Sequence, residues 1–198
     1  MRQNLLNRRE FLGLCAAGTL AGTLAACQGA PSAGKSPTHT PTSAPRQPSD
    51  ADWAALAGSL QGTLVRPGNA RYAGASLLFN TRFDALQPAA IAWCATPADV
   101  QRCLSFARRF ALPIAPRSGG HSYGGYSSPG GGIVLDVTRM SAISVNTGDN
   151  TATIGGGALL IDVYNALANY GLVLPAGSCP TVGVAGLALG GGVGVLVR

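Results

Sequence analysis

From residue 50 onward, apolar residues recur at spacings that predict a series of short helices and strands. Apolar positions return at helical spacing at Trp53, Leu56, Ala57 and Leu60. Asp50 or Asp52 is the candidate N-cap of this predicted helix. Residues 72–83 follow no clear period. We therefore interpret residues 49–86 as a helical lead-in to the segment that follows.

A clearer pattern begins at residue 88. Residues 90–95 form a short apolar run suited to a buried strand, and Thr96 and Pro97 supply an N-cap followed by proline at the first helical position. The predicted helix has an apolar stripe of Val100, Cys103, Leu104, Ala107 and Ala111. Residues 113–116 form a second short strand. The pattern therefore predicts a β-α-β unit of a parallel sheet.

The remaining residues predict a second group of elements. These are a strand at 132–137, a hairpin of residues 142–145 and 151–155 around a Gly148-Asp149-Asn150 turn, and a helix at 159–170 that ends at Gly171. Residues 175–194 are rich in glycine. We predict little regular structure there, and a backbone that closely approaches another backbone or a ligand.

The first 26 residues have the composition of an export signal. Arg8 and Arg9 come shortly before a run of small and apolar residues that ends in Leu-Ala-Ala-Cys at Cys27. The apolar run, residues 11–26, is too short for a comfortable membrane span. The paired arginines resemble a twin-arginine signal and the Leu-Ala-Ala-Cys end resembles a bacterial lipobox, which predicts lipidation at Cys27. An ordinary secretory signal cleaved nearby is the alternative.

These features predict where the protein is found. We expect an exported lipoprotein, held on the outer face of the bacterial cytoplasmic membrane only by a lipid at Cys27, or a secreted protein. Residues 27–48 consist mainly of Pro, Ser, Thr, Ala and Gly, which predicts a disordered linker. The predicted signal peptide covers residues 1–26.

Charge and composition then narrow the class of partner. The formal net charge of the chain is +6. Residues 1–48 contain five basic side chains and one acidic side chain, and residues 49–198 contain nine basic and seven acidic side chains. The folded part is therefore nearly neutral, which disfavours nucleic acid as a partner. A composition of 46% hydrophobic and 11% charged residues excludes a disordered polyelectrolyte. No metal site is predicted.

Residues 29–36 match the phosphate-binding pattern G-x-x-x-x-G-K-S. Such a loop binds phosphate when a strand delivers it and a helix begins at its lysine. No strand is predicted before it, and Pro37 and Pro41 follow where the helix should run. Nucleotide binding by this loop is therefore a minor hypothesis, which rests only on the match of residues 29–36 to the sequence pattern.

Two glycine-rich segments, residues 116–123 and 177–192, carry the residues best suited to chemistry. The first directly follows a predicted strand and offers successive N–H groups from Ser118 to Ser122. Such a run of amides forms a concave site for a phosphate or pyrophosphate. The sequence contains no G-x-G-x-x-G, which disfavours a conventional Rossmann dinucleotide site.

The order of these motifs resembles the FAD-binding domain of the vanillyl-alcohol oxidase superfamily, and within it the berberine-bridge-enzyme-like flavoprotein oxidases. The resemblance runs from about residue 50 to residue 198. It rests on Pro88-Ala89-Ala90-Ile91, Thr96-Pro97-Ala98-Asp99-Val100, Arg117-Ser118-Gly119-Gly120-His121-Ser122-Tyr123, Ile133-Val134-Leu135-Asp136, Gly155-Gly156-Gly157 and the segment around Cys179. It implies an α+β fold of the PCMH type at residues 87–198, with a β-α-β subdomain and a second mixed α/β subdomain, incomplete at its C-terminal end.

The resemblance also implies a flavin held by two covalent bonds. In that branch the histidine of R-x-G-G-H is bonded to flavin C8α and the cysteine of G-x-C-x-x-V-G to flavin C6, which correspond to His121 and Cys179. A neutral imidazole and a thiolate are suitable nucleophiles. The alternatives are a loop histidine bonded to backbone and a small buried thiol. The residues implied to bind FAD are Arg117, Ser118, Gly119, Gly120, His121, Ser122, Cys179, Thr181, Val182, Gly183 and Gly186.

Other polar residues leave alternatives open. Arg117 suits either a phosphate or a carboxylate, and Asp136, at the end of a strand, is predicted to be structural. Cys94 and Cys103 lie on predicted core faces, so simple packing is expected. A disulfide between them is the alternative in an exported protein.

The resemblance implies an FAD-dependent oxidoreductase. Such an enzyme transfers hydride from an alcohol, a sugar or a related C–H donor to flavin N5 and is reoxidised by dioxygen. Its catalytic residues are expected beyond Arg198, so we expect the isolated 198-residue chain neither to hold FAD stably nor to turn over. The alternative is a non-catalytic exported lipoprotein, a remnant of such an enzyme.

Overall fold

The computed structural model describes residues 46–194 of the chain. The helices are α1 (Asp50–Ser59), α2 (Tyr72–Ser76), α3 (Pro97–Phe110), α4 (Leu160–Ala168) and α5 (Val184–Gly190), with a 3₁₀ turn at Thr81–Phe83. The strands are β1 (Thr63–Val65), β2 (Ala90–Trp93), β3 (Ile114–Arg117), β4 (Ile133–Asp136), β5 (Ile143–Asn146) and β6 (Thr151–Ile154). The α+β class and the hairpin at β5 and β6 are confirmed.

Strands β1 to β4 form one sheet, in the spatial order β1-β2-β4-β3. Strands β2 and β3 both run parallel to β4, whereas β1 pairs with β2 in the antiparallel sense at one edge. The chain leaves β2, passes through α3 and returns as β3, and β4 then inserts between them. This confirms the predicted β-α-β unit. The carboxyl ends of the three parallel strands meet at one edge of the sheet, where ligand sites of α/β proteins usually lie.

Helices α1 and α3 cover one face of this sheet. The buried side chains that join them to β2 and β4 are Trp53, Leu56, Ala90, Ala92, Cys94, Cys103, Ala107, Ile133 and Leu135. On the opposite face of the same strands Ile91 and Val134 are also fully buried. Strands buried on both faces are typical of a parallel sheet and explain the uninterrupted apolar runs in the sequence.

A second, smaller core lies between the β5–β6 hairpin and α4. Its buried members are Ala158, Val163 and Leu167, and partly buried residues of both hairpin strands pack against them. The helix ends at Ala168, earlier than predicted, and Gly171, with φ +67°, lies in the turn that follows rather than directly after the helix. The two cores correspond to the two subdomains that the family resemblance implies.

Two details of the predicted helices are wrong. Ser49, not Asp50 or Asp52, caps α1: its hydroxyl accepts from the Asp52 amide, and the Asp52 carboxylate accepts from the Ser49 amide. In α3, Leu104 was expected on the buried face but is 40% exposed. Phe110, which the predicted stripe leaves out, is buried. The predicted stripe extends to Ala111, but that residue adopts φ +51° and ends the helix.

Two segments are more regular than predicted. The lead-in is not purely helical, because β1 joins the main sheet through β2. The glycine-rich segment after residue 175 contains α5, which begins where Val184 donates to the Ala158 carbonyl and Gly183 pairs with Leu159. These contacts with residues distant in sequence override the weak helix propensity of glycine.

The predicted signal peptide, the lipidation site at Cys27, most of the linker and the loop at 29–36 lie outside the described residues. Arg46, at the end of the predicted linker, is described and pairs with Asp52 at 2.9 Å. No helix within residues 46–194 is long and apolar enough to cross a membrane.

Candidate functional site

The site begins at the carboxyl end of β3, where Arg117 lies in register with Asp136 of β4. The two side chains are buried and form an ion pair, with Nη2 of Arg117 3.1 Å from Oδ2 of Asp136. Nη2 also donates to the Ala75 carbonyl at 2.8 Å. The sequence left a phosphate or a carboxylate as the partner of Arg117, and in the structure Arg117 pairs with a carboxylate, that of Asp136. The guanidinium anchors the start of the loop, and Asp136 is structural as predicted.

The loop that follows presents unpaired backbone amides. Within residues 46–194, the N–H groups of residues 118–122 make no hydrogen bond. Gly120 has φ +70°, a conformation that glycine adopts without strain, and its carbonyl accepts from the Phe79 amide. The run of free amides predicted for this loop is therefore present. These amides could donate to a pyrophosphate without breaking any hydrogen bond of the fold.

The second glycine-rich segment packs directly against this loop. A Cβ atom added to Gly119 would lie 2.1 Å from the Thr181 carbonyl oxygen, and one added to Gly183 would lie 2.3 Å from the Ser118 hydroxyl. Only glycine permits such an approach of two backbones. The structure therefore brings together the two segments that the sequence singled out.

His121 lies at the junction of these segments. Its Nε2 atom is 2.8 Å from the Thr181 hydroxyl oxygen. The ring stacks on Phe79, with centroids 4.1 Å apart and an angle of 20° between the planes. Burial lowers the pKa of His121 from its ordinary value of 6.5, which favours the neutral imidazole. A neutral ring fixed on one face and at one nitrogen can act as a nucleophile through its other nitrogen.

Cys179 lies two residues before Thr181 and carries an exposed free thiol. Its loop is held against the first turn of α4: the Pro180 carbonyl accepts from the Ile161 amide at 3.0 Å, and the Val182 carbonyl accepts from the Leu160 amide at 2.9 Å. The first amides of a helix have no partner within the helix. These two hydrogen bonds therefore hold the loop in place and also pair the first amides of α4. The alternative of a small buried thiol does not hold for Cys179.

The other residues predicted to bind FAD include Ser118, Ser122 and Gly186, and these three differ in their surroundings. The Ser118 hydroxyl donates to the Gly157 carbonyl, which links the loop to the Gly155-Gly156-Gly157 motif. The Ser122 hydroxyl accepts from the Tyr126 amide within a turn. Gly186 is exposed on α5, with open space where a side chain would lie. Of these, only Ser118 contacts a neighbouring motif of the site.

Sequence reasoning missed Phe79. It lies in the segment without clear periodicity, and its side chain is 61% exposed although it contacts His121. An aromatic residue in a loop has no local signal that reveals a stacking partner 42 residues away. Only the fold identifies it.

Cys94 and Cys103 are free, fully buried thiols, so the core-packing prediction is confirmed and the alternative disulfide is not formed. The neighbouring Cys94 thiol, together with burial, raises the pKa of the Cys103 thiol. A buried, protonated thiol is chemically inert. These two cysteines are therefore not part of the site.

The unpaired amides of residues 118–122, at the carboxyl edge of the sheet, are suited to an anionic group such as a phosphate. Residues 88–198 match the family model described as FAD binding domain. The chain belongs to this FAD-binding family, and its resemblance to the berberine-bridge-enzyme-like FAD-linked oxidases is confirmed.

Named relatives agree with this assignment. The chain is 38% identical over 138 residues to (R)-6-hydroxynicotine oxidase of Paenarthrobacter nicotinovorans, which covers 70% of this chain and 30% of the relative. It is 38% identical over 131 residues to berberine bridge enzyme-like 18 of Arabidopsis thaliana, covering 63% and 25%.

A solved structure is informative about the cofactor. Glucooligosaccharide oxidase of Acremonium strictum, described with a 6-S-cysteinyl, 8α-N1-histidyl FAD, matches with a TM-score of 0.65 and 35% identity, over 71% of this chain and 30% of that one. The chain thus spans 25% to 30% of the length of these three relatives.

Proposed function

We propose that this chain is the flavin-attaching part of an FAD-dependent oxidoreductase that oxidises a small molecule. The observation that carries the proposal is the position of His121, held by Thr181 next to the free amides of residues 118–122. An anion site beside a neutral, oriented nucleophile suits a cofactor that is both a dinucleotide and covalently bound.

The residues have separate roles in this proposal. The amides of the loop after β3 would bind the pyrophosphate, and His121 and Cys179 would bond the flavin at C8α and C6. The doubly attached FAD of glucooligosaccharide oxidase supports this arrangement. The close glycine crossing at Gly119 and Gly183 keeps the histidine loop and the cysteine loop in contact.

When bound, FAD would accept hydride from a C–H bond of an alcohol, a sugar or a related donor, and dioxygen would take up the two electrons. The residues assigned here hold and orient the cofactor. None of them is proposed as the base that takes the substrate proton.

We also propose that the protein is exported and anchored by a lipid at Cys27. Covalent flavin attachment requires a folded domain, and the twin-arginine route suggested by Arg8 and Arg9 suits an already folded protein. In cells that express the tagged protein, Cys27→Ser should move it from the membrane fraction to the soluble fraction, and Arg8→Lys with Arg9→Lys should retain it inside. Unchanged fractionation of both variants would exclude this route.

Trypsin provides a direct test of the attachment, because it cleaves after Arg117 and Arg139 and leaves residues 140–198 free of internal cleavage sites. His121 then lies on peptide 118–139 and Cys179 on peptide 140–198. In the protein as its gene encodes it, mass spectrometry should find both peptides joined through one flavin.

Single variants should separate the two bonds. His121→Ala should leave flavin on peptide 140–198 alone, and Cys179→Ala should leave it on peptide 118–139 alone. His39→Ala, at the other histidine of the chain, is the matched control and should retain both bonds. If the wild-type protein carries no flavin after denaturation, covalent attachment is wrong; if it also binds none before denaturation, the non-catalytic alternative is preferred.

A further inference from the structure

Thr181 makes the one side-chain hydrogen bond of His121 within residues 46–194. Nε2 is 2.8 Å from the threonine hydroxyl, and no partner for Nδ1 is found in the same part of the chain. Stacking on Phe79 at 4.1 Å covers one face of the ring. The two contacts come from different segments and leave the Nδ1 edge of the imidazole as its available edge.

A neutral imidazole carries one proton, and the nitrogen without the proton is the nucleophile. Which nitrogen that is depends on the hydrogen bond that the other one makes. A threonine hydroxyl can accept a hydrogen bond and can also donate one. Thr181 is therefore chemically able to serve His121 both when Nε2 is protonated and when it is not.

We propose that Thr181 is a positioning residue for flavin attachment: its hydroxyl accepts from Nε2–H of His121 and so leaves the lone pair of Nδ1 for the flavin. This inference rests on the proposed function. It adds the residue that selects the reacting nitrogen and sets its orientation. The lowered pKa of His121 is consistent with a ring that is neutral before it reacts.

Bond formation at His121 releases two electrons and two protons. A bond forms between Nδ1 and the flavin 8-methyl carbon; the Nε2–H proton and one methyl hydrogen are lost. The two electrons and two protons released are taken up by dioxygen, which becomes hydrogen peroxide. Nε2 then has a lone pair and no proton, and the Thr181 hydroxyl reverses its role and donates to it. Only a side chain that can both donate and accept can stabilise the ring before and after the bond forms.

The test compares Thr181→Val and Thr181→Ser in the protein as its gene encodes it. Apoprotein is mixed with FAD in air, samples are denatured at intervals, and the flavin on peptides 118–139 and 140–198 is quantified. Valine keeps the shape without the hydroxyl, so attachment at His121 should become at least about tenfold slower. Attachment at Cys179 should continue, and serine should restore most of the rate at His121.

Thr153→Val is the matched control, since Thr153 is an exposed threonine on β6 away from the site. It should attach flavin like the wild type. A Thr181→Val protein that attaches flavin at His121 at the wild-type rate overturns the role of Thr181. So does a Thr181→Ser protein as slow as Thr181→Val, because shape rather than the hydroxyl would then matter. A wild-type protein without flavin on either peptide refutes covalent attachment instead, which is the part of the proposed function on which this inference rests.

Discussion

Arg117 and Asp136 form a buried ion pair, 3.1 Å between Nη2 and Oδ2, at the carboxyl ends of two adjacent parallel strands. Each residue is about 95% buried. The Arg117 side chain also reaches the Ala75 carbonyl, and so ties α2 to the sheet. Nη1 of Arg117 is buried without a partner in the described part of the chain. The loop that carries His121 therefore begins at a buried ion pair, and loss of either partner should destabilise the start of the loop.

Asp136→Asn should destabilise the protein by about 3–5 kcal/mol, because it leaves the Arg117 charge buried without a counter-ion. Urea unfolding of the variant and the wild type measures this difference. The double variant Arg117→Met with Asp136→Leu should cost less than the two single changes together, since it removes both charges. Additive effects would show that the two residues act independently.

Asp99 should make stability dependent on pH in the acid range. Burial alone would raise the pKa of this carboxyl, but hydrogen bonds from backbone amides outweigh burial and lower the pKa below 3.8. The donors are Gln61, Gly62 and Ala95, at 2.9 to 3.1 Å. A lowered pKa means that this stabilisation is present above about pH 4 and is lost as the pH falls through the folded-state value.

Asp99→Ala should therefore cost about 3 kcal/mol at pH 7, since it leaves buried amides unpaired. Urea unfolding at pH 7 and pH 3 should give a smaller difference between the two pH values for the variant than for the wild type. Asp162→Asn, at an exposed position of α4, is the control and should follow the wild type. An equal loss in acid for all three proteins would contradict the assignment.

Flavin attachment at His121 should increase with pH and level off in the neutral range. Only the neutral imidazole has a free lone pair, and burial lowers the pKa of His121 from 6.5. The midpoint of the attachment rate on peptide 118–139 should therefore lie below pH 6.5. Attachment in the Cys179→Ala protein, followed by fluorescence of the denatured band, isolates this bond. A midpoint above pH 6.5 would contradict a buried neutral histidine.

The three described cysteines should differ sharply in reactivity. Cys179 is exposed, whereas Cys94 and Cys103 are fully buried. Iodoacetamide added to the folded apoprotein should label Cys179 rapidly and the other two only after unfolding. Trypsin places them on separate peptides, 140–198, 83–102 and 103–108, so mass spectrometry resolves each one. Rapid labelling of Cys103 in the folded protein would mean that the core opens readily.

Much of this architecture follows from local signals. Thr96 and Pro97 start α3 as predicted, and the apolar runs of β2 and β4 are buried on both faces. Helix α5 could not be predicted, because its start depends on pairing between Gly183 and Leu159. Contacts between segments distant in sequence leave little local pattern.

The site itself shows the same division. The glycines of the two segments predicted free amides and a close backbone approach, and the structure contains both. The roles of His121 and Cys179 in flavin attachment come from the family resemblance and stay predictions. The contacts of His121 with Thr181 and Phe79, and the pairing of Arg117 with Asp136, depend on which strands become neighbours. The spacing of residues around Phe79 does not indicate that its ring stacks on His121.

The crossing at Gly119 should be intolerant of any side chain. A Cβ atom there would lie 2.1 Å from the Thr181 carbonyl oxygen and 2.5 Å from the Gly183 nitrogen, so the two loops would have to separate. Gly119→Ala should cost about 1–3 kcal/mol and slow attachment at His121, because separation removes its contact with Thr181. Gly58→Ala is the matched control: Gly58 lies in α1 with nothing within 4 Å of its added Cβ, and alanine should stabilise that helix by about 0.5–1 kcal/mol. Thermal unfolding and the peptide assay measure both effects. Wild-type attachment in Gly119→Ala would mean that the two loops need not touch for the flavin to bind, and the role of Thr181 would fail with it.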